Sequence, residues 1–162
     1  MSTASTSSAG AARSQSRSAA RLAAVQALYQ LEMEPGAIAP LLHQFHQHRL
    51  GATIEGATYA EAEQGFFDDV VKGVDARRAE IDALVAGKLA KGWSLERLDR
   101  PMRAILRAGT YELIARPDVP VASVITEYVD VAHAFYDKKE SGFVNGLLDA
   151  VAKDARQTSP RA

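Results

Sequence analysis

This chain has no cysteine, which excludes disulfides and thiolate metal sites and leaves nothing that asks for an oxidising compartment. It has no apolar run approaching the roughly 18 residues that a membrane span needs, and no apolar h-region of a secretion signal. Net charge is almost absent too: 19 Lys and Arg against 20 Asp and Glu leave −1, which argues against a protein that coats nucleic acid indiscriminately. Gly-rich phosphate loops and serine–histidine–acid arrangements are missing, so nothing marks an enzyme or a resident cofactor. Alternating strand patterns and internal repeats are missing as well. The last absence is local. No acidic residue precedes Glu32, while Arg13, Arg17 and Arg21 all do.

What is present is helical periodicity, and it predicts an all-α fold of about seven helices. The length of 162 residues suits one domain or two small sub-bundles sharing an interface. Residues 1–16 are nearly all Ser, Ala, Thr, Gly, Gln and Arg and are expected to form a flexible basic tail. Residues 17–155 form the helical body, and 156–162 a second flexible tail. The acid-free start also fits an organelle transit peptide, ranked behind a basic arm.

The first helix is expected from Arg17 to Met33, stopped by Pro35-Gly36. Leu22, Val25, Tyr29 and Met33 form its apolar row, and Leu28 and Leu31 suggest a second buried side. A second helix covers 37–48, before a polar loop over 49–58. A third is led by Phe66, Phe67, Val70, Val71 and Val74. Asp75 could start a fourth, with Ile81, Leu84, Val85 and Leu89 at helical spacing. Gly87 and Gly92 loosen the path to Trp93, and Ser94 can cap a short turn.

The last third is the most regular. Met102, Ile105, Leu106, Gly109 and Leu113 recur at helical spacing, with Arg100, Arg103 and Arg107 on another face. Pro101 suits a first turn, and Pro117 and Pro120 stop the helix. Val121, Val124, Ile125, Tyr128, Val129, Ala132 and Phe135 form the next stripe. Ser141 is expected to cap a final helix carrying Phe143, Val144, Leu147, Leu148 and Val151.

Three sets of residues could carry chemistry. Projected on one helix, Arg13, Arg17 and Arg21 share an i, i+4 row that continues through Ala24 and Leu28. Arginines cannot share a buried face cheaply, so this row is expected to project beyond the bundle or sit at its rim, where it could track a phosphate backbone. Lys138 and Lys139 stand before the final helix, whose N-terminus would add its free N–H groups to an anion's grip. His43 and His46 could meet at i, i+3, but His48 points elsewhere and no further ligand completes a shell, so no metal is expected. Asp68-Asp69 with Glu61 and Glu63 read as solvated carboxylates at a helix start.

Arg103-Ala-Ile-Leu-Arg107, Tyr111-Glu112-Leu113, Asp118-Val-Pro120, Ile125-Thr-Glu127 and Phe143-Val-Asn-Gly-Leu-Leu-Asp149 occur in this order, with Ala24-Val-Gln-Ala-Leu-Tyr-Gln30 near the other end. Together they resemble the bacterial NusB family of transcription antitermination factors over roughly residues 17–153. The resemblance implies a helical bundle in two small subdomains. It also implies a cytoplasmic, non-enzymatic protein that binds boxA of nascent ribosomal RNA with the ribosomal protein NusE and tethers it to elongating polymerase. Arg13, Arg17, Arg21, Lys138, Lys139 and Phe143 are then the RNA-binding candidates, with Phe143 matching an aromatic position beside the nucleic acid. Tyr29, Glu96 and Glu112 are the candidates for NusE. Ser18 and Ala19 stand where relatives carry a denser arginine cluster, so a weaker arm is expected. Relatives include monomers and homodimers, and the resemblance leaves both open. Two other readings stay open at this point. A similar helical domain precedes ribosomal RNA cytosine methyltransferases, although a chain ending at Ala162 leaves no room for a catalytic α/β domain. The other reading is a structural helical protein that self-associates.

Overall fold

The computed structural model describes residues 2–48 and 57–156, with side chains for 16–47 and 64–156. Its helices are α1 (Ser2–Met33), α2 (Ile38–His48), α3 (Ala57–Ala76), α4 (Arg78–Ala86), α5 (Arg100–Ala115), α6 (Val121–His133) and α7 (Lys138–Ala155), with a 3-10 turn at Leu95–Arg97. Among the described residues there is no strand, and no helix is long and apolar enough to cross a membrane. The chain divides into two compact units, Met1–Val71 and Lys72–Ala162.

In the first unit, α1 is continuous from Ser2, well before the expected start at Arg17. Its early residues include several alanines and no proline, so nothing in them interrupts a helix. Its buried side overlaps only in part with the expected one, sharing Val25 and Leu28. Ala20, Ala23, Ala24, Val25, Ala27 and Leu28 are buried, whereas Tyr29 and Met33 are exposed. Bulky residues dominate a periodicity reading, but small ones allow helices to approach closely, and here they take the interior. α1 packs on α2. Phe45 of α2 stacks on Phe67 of α3 with ring centroids 5.4 Å apart. The His46 Nε2 lies 2.6 Å from Asp68 Oδ1, a carboxylate that sequence spacing had not brought near it.

The second unit is built around α5, which packs against α4, α6 and α7. Asp99 caps α5 by accepting the Met102 N–H at 3.1 Å, and Pro101 occupies its first turn as expected. From Ala104 to Leu113 every α5 residue is buried, so the helix has no solvent face there. Its charged groups are therefore matched inside, while the Thr110 Oγ1 has no hydrogen-bond partner among the described residues. Glu112 is 0% exposed and accepts the Tyr128 hydroxyl at 2.5 Å. Arg107, expected on a separate face, is buried and donates from Nε and Nη2 to Asp82 at 2.8 and 3.1 Å. Arg103 donates to the carbonyls of Leu95 and Leu98 and so holds the 3-10 turn.

Two further contacts close this unit. A Cβ on Gly73 would stand 2.2 Å from the Tyr111 ring, so the ring's seat against α3 requires glycine. Arg156 ends α7 by donating to four carbonyls: Leu113 at 2.8 Å, Val119 and Arg116 at 2.9 Å, and Glu112 at 3.3 Å. Arg156 thus belongs to the folded body rather than to the tail expected over 156–162. The remainder of that tail, 157–162, lies outside the described residues.

Candidate nucleic-acid interface

The α1 arginines are not the uniform row that helical projection predicts. Arg17 is exposed and its guanidinium carbon lies 4.6 Å from the centroid of the Phe66 ring. Arg21 lies over the same ring at 4.8 Å but is only 4% exposed. The expectation that the row must stay at the rim fails at Arg21 for an identifiable reason. An aromatic face attracts a guanidinium by up to about 2 kcal/mol when both are desolvated, and the aliphatic stem buries like any apolar chain. The Arg13 side chain lies outside the described residues, as do those of His48, Glu61 and Glu63.

At the other candidate site α7 begins at Lys138, so both lysines form part of its first turn instead of preceding it. Asp137 takes the N-cap position, with no side-chain capping bond. Ser141, expected to be the cap, is buried inside the helix, with its Oγ 3.2 Å from His133 Nδ1 and 3.4 Å from the Asp137 carbonyl. Ser94 likewise precedes the 3-10 turn without a side-chain cap. Lys138 and Lys139 are exposed, and neither forms an ion pair among the described residues. Val144, Leu147, Leu148 and Val151 are buried as expected, but Phe143 separates from their stripe and is 38% exposed. A ring free of the core is available for stacking.

Phe143 stands on the wall of a cavity of about 480 Å³ that also involves Leu89, Trp93, Met102, Tyr136 and Lys139. Tyr136 donates its hydroxyl to Asp99, the carboxylate that caps α5. Burial first, and the Asp99 bond second, push the Tyr136 phenol above its ordinary range. Of the partner candidates, Tyr29 and Glu96 are exposed. Glu112 is sealed in the α5 core, so it cannot be a surface contact and acts within the fold. Among the described residues no three His, Cys, Asp or Glu side chains gather in a way that could hold a metal ion.

A family model of the NusB family matches residues 18–153. The chain belongs to the NusB family. It is 68% identical over 145 residues to the transcription antitermination protein NusB of Sphingopyxis alaskensis, covering 90% of this chain and 97% of the relative. It is 50% identical over 144 residues to that of Caulobacter vibrioides, covering 89% and 97%. The solved NusB of T. maritima superposes with a TM-score of 0.73 at 30% identity, over 87% of this chain and 94% of that one. A chain from a crystal structure described as a plectonemic RNA supercoil gives 0.74 at 27% identity, over 90% and 99%. The family is one of non-enzymatic antitermination factors, and its relatives are covered almost end to end. The methyltransferase reading is set aside accordingly.

Sequence reasoning missed the cavity. Its lining comes from the connection between α4 and α5 with its 3-10 turn, the first turn of α5, and the stretch from Tyr136 into the start of α7, which no local pattern links. One signal was available: Trp93, the chain's single tryptophan, follows a glycine in a segment with no apolar period.

Proposed function

We propose that this protein binds the boxA segment of nascent RNA together with NusE, in the cytoplasm, and holds that RNA to the elongating polymerase. The observation that carries the reading is the start of α7, where two exposed lysines and an exposed phenylalanine occupy one helical turn and a half. Lysines there reinforce the helix's own attraction for phosphate, and an aromatic ring takes an unpaired base, worth about 1–3 kcal/mol. Family membership supports this reading, as does the structural relative whose description names an RNA. Arg17 adds an exposed guanidinium, with Arg13 as the further arm candidate, while Arg21 supports the arm from inside. Tyr29 and Glu96 remain the candidates for NusE, a basic partner that favours aromatic and acidic contacts.

The near-zero net charge implies modest RNA affinity for the protein alone, raised by NusE. Coupling between two ligands is reciprocal, so boxA must raise NusE affinity by the same factor. Calorimetric titrations of NusE into the protein, with and without boxA RNA and with a scrambled control, test this. Equal NusE affinity in all three would contradict the reading.

A further inference from the structure

The cavity beside Phe143 holds features that stacking on Phe143 alone does not use. Its volume of about 480 Å³ falls in the range of small-ligand sites. Leu89, Leu98 and Met102 supply an apolar lining, and Trp93 stands opposite in character to a core residue, 52% exposed. The tryptophan is held in place. Gly92 turns the chain into it with φ of +88°, a left-handed conformation that side-chain-bearing residues rarely adopt. The Arg97 guanidinium lies 5.1 Å from the Trp93 ring centroid while donating to the Gly92 carbonyl at 2.7 Å.

Two carboxylates line the same space. Asp99 is engaged by the Met102 N–H and the Tyr136 hydroxyl. Glu140 is different: its Oε1 is buried and has no hydrogen-bond partner among the described residues. A buried acceptor left unmatched is costly, and Glu140, unlike the other such groups, Ser16 and Thr110, stands on the cavity wall, where a donor entering the cavity offsets that cost.

We propose that this cavity is a second base pocket, receiving one unpaired guanine of the RNA next to the base that stacks on Phe143. The proposal rests on the RNA-binding reading above and adds to it a residue-level preference. An aromatic, apolar slot takes any planar ring, so Trp93 and Phe143 give affinity without choice. Choice comes from Glu140, which when ionised can only accept. Guanine presents two adjacent donors, N1–H and the N2 amino group, to a carboxylate. Uracil presents one N–H flanked by two carbonyl oxygens, which the carboxylate repels. Lys139, beside Glu140 on the cavity wall, is placed for the phosphate of the same nucleotide. The cations Arg97 and Lys139 on this wall also disfavour a basic protein side chain as the occupant.

Because Trp93 is the only tryptophan, intrinsic fluorescence reports on this wall directly. The full chain is titrated with guanosine, cytidine, adenosine and uridine monophosphates, and with single-stranded RNA oligomers carrying G or U at one varied position. Saturable quenching with guanosine monophosphate, about tenfold tighter than with uridine monophosphate, is expected. Glu140→Gln should bring that ratio close to one while leaving the circular dichroism unchanged and Tm no lower. Oligomers that bind without altering Trp93 emission or preferring G would overturn the pocket and leave RNA binding standing. A preference that survives in Glu140→Gln, or quenching by an arginine-rich peptide in place of nucleotides, would also overturn it. Oligomers that fail to bind even with NusE present would remove the underlying reading, and the pocket with it.

Discussion

In the unit carrying α1, Arg17 and Arg21 lie over the ring of Phe66, and Arg21 is sealed beneath the surface. In the unit carrying α7, Lys138 and Lys139 stand exposed at a helix start beside an open aromatic cavity. Both are cation-plus-aromatic arrangements, yet they have different physical consequences. Arginine is weakly hydrated and planar, so it can exchange water for a ring face and become part of the interior. Lysine keeps a compact, strongly hydrated charge and remains at the surface, available to phosphate. The cation that helical projection makes most prominent need not be the one that meets a ligand.

The largest expected effect separates fold from surface. Glu112→Ala removes a buried carboxyl and the acceptor of the Tyr128 hydroxyl, so stability should fall by about 3 kcal/mol. That corresponds to a Tm drop of roughly 6–12 °C for a chain of this size. A variant that melts normally and loses only NusE binding would return Glu112 to the surface role its sequence position suggested.

Next comes the comparison inside α1. Arg21→Ala should cost about 2 kcal/mol through lost packing and ring contact, with little change in the salt dependence of RNA binding. Arg17→Ala should do the reverse, leaving the denaturation midpoint nearly unmoved and flattening the salt slope by about one unit. Identical behaviour of the two variants in both assays would erase the distinction drawn from their burial.

The double change Lys138→Ala with Lys139→Ala should weaken RNA binding about tenfold, boxA and scrambled sequences alike, because phosphate contacts position without reading bases. Affinity measured at several salt concentrations should show a slope smaller by about two. An unchanged slope would place the phosphates elsewhere.

The smallest effect concerns pH. The Tyr136 phenol ionises less readily in the folded protein than in the unfolded chain. Its contribution to stability is therefore full below the ordinary tyrosine pKa of about 10 and declines as pH rises beyond it. Urea denaturation between pH 8 and 11 should show this decline in the native protein and a shallower one in Tyr136→Phe. Parallel curves would detach Tyr136 from the alkaline limb.

The helices of the last third were legible because Met102, Ile105, Leu106 and Leu113, and then Val144, Leu147, Leu148 and Val151, are bulky, periodic and buried. α1 was harder to read because alanines fill its buried side, and alanine carries little weight in an apolar pattern. Burial of Arg21 and Arg107 was illegible for another reason. Their partners, Phe66 and Asp82, sit on other helices and are brought to them only by tertiary packing. That Lys138, Lys139 and Phe143 gather near the start of the last helix was legible, but the start of α7 itself was misplaced. Ser141 has a capping chemistry, and nothing local reveals that its hydroxyl faces His133 instead. The cavity wall at Trp93 and Glu140 joins two stretches far apart in the chain, 89–102 and 136–143, and lay beyond any local reading.

Arg156 has a kinetic consequence. Its four carbonyl partners lie 37 to 44 residues earlier in the chain, so these bonds close long loops within their unit. Contacts of that span form after the local helices and their nearest packing are in place. Lysine offers no planar fork with which to reach the same acceptors, so Arg156→Lys releases the corner between α5 and α6. Interactions completed late hold a fold shut without hastening its assembly. The guanidinium at the end of α7 acts as a latch, governing how long the native state lasts once formed.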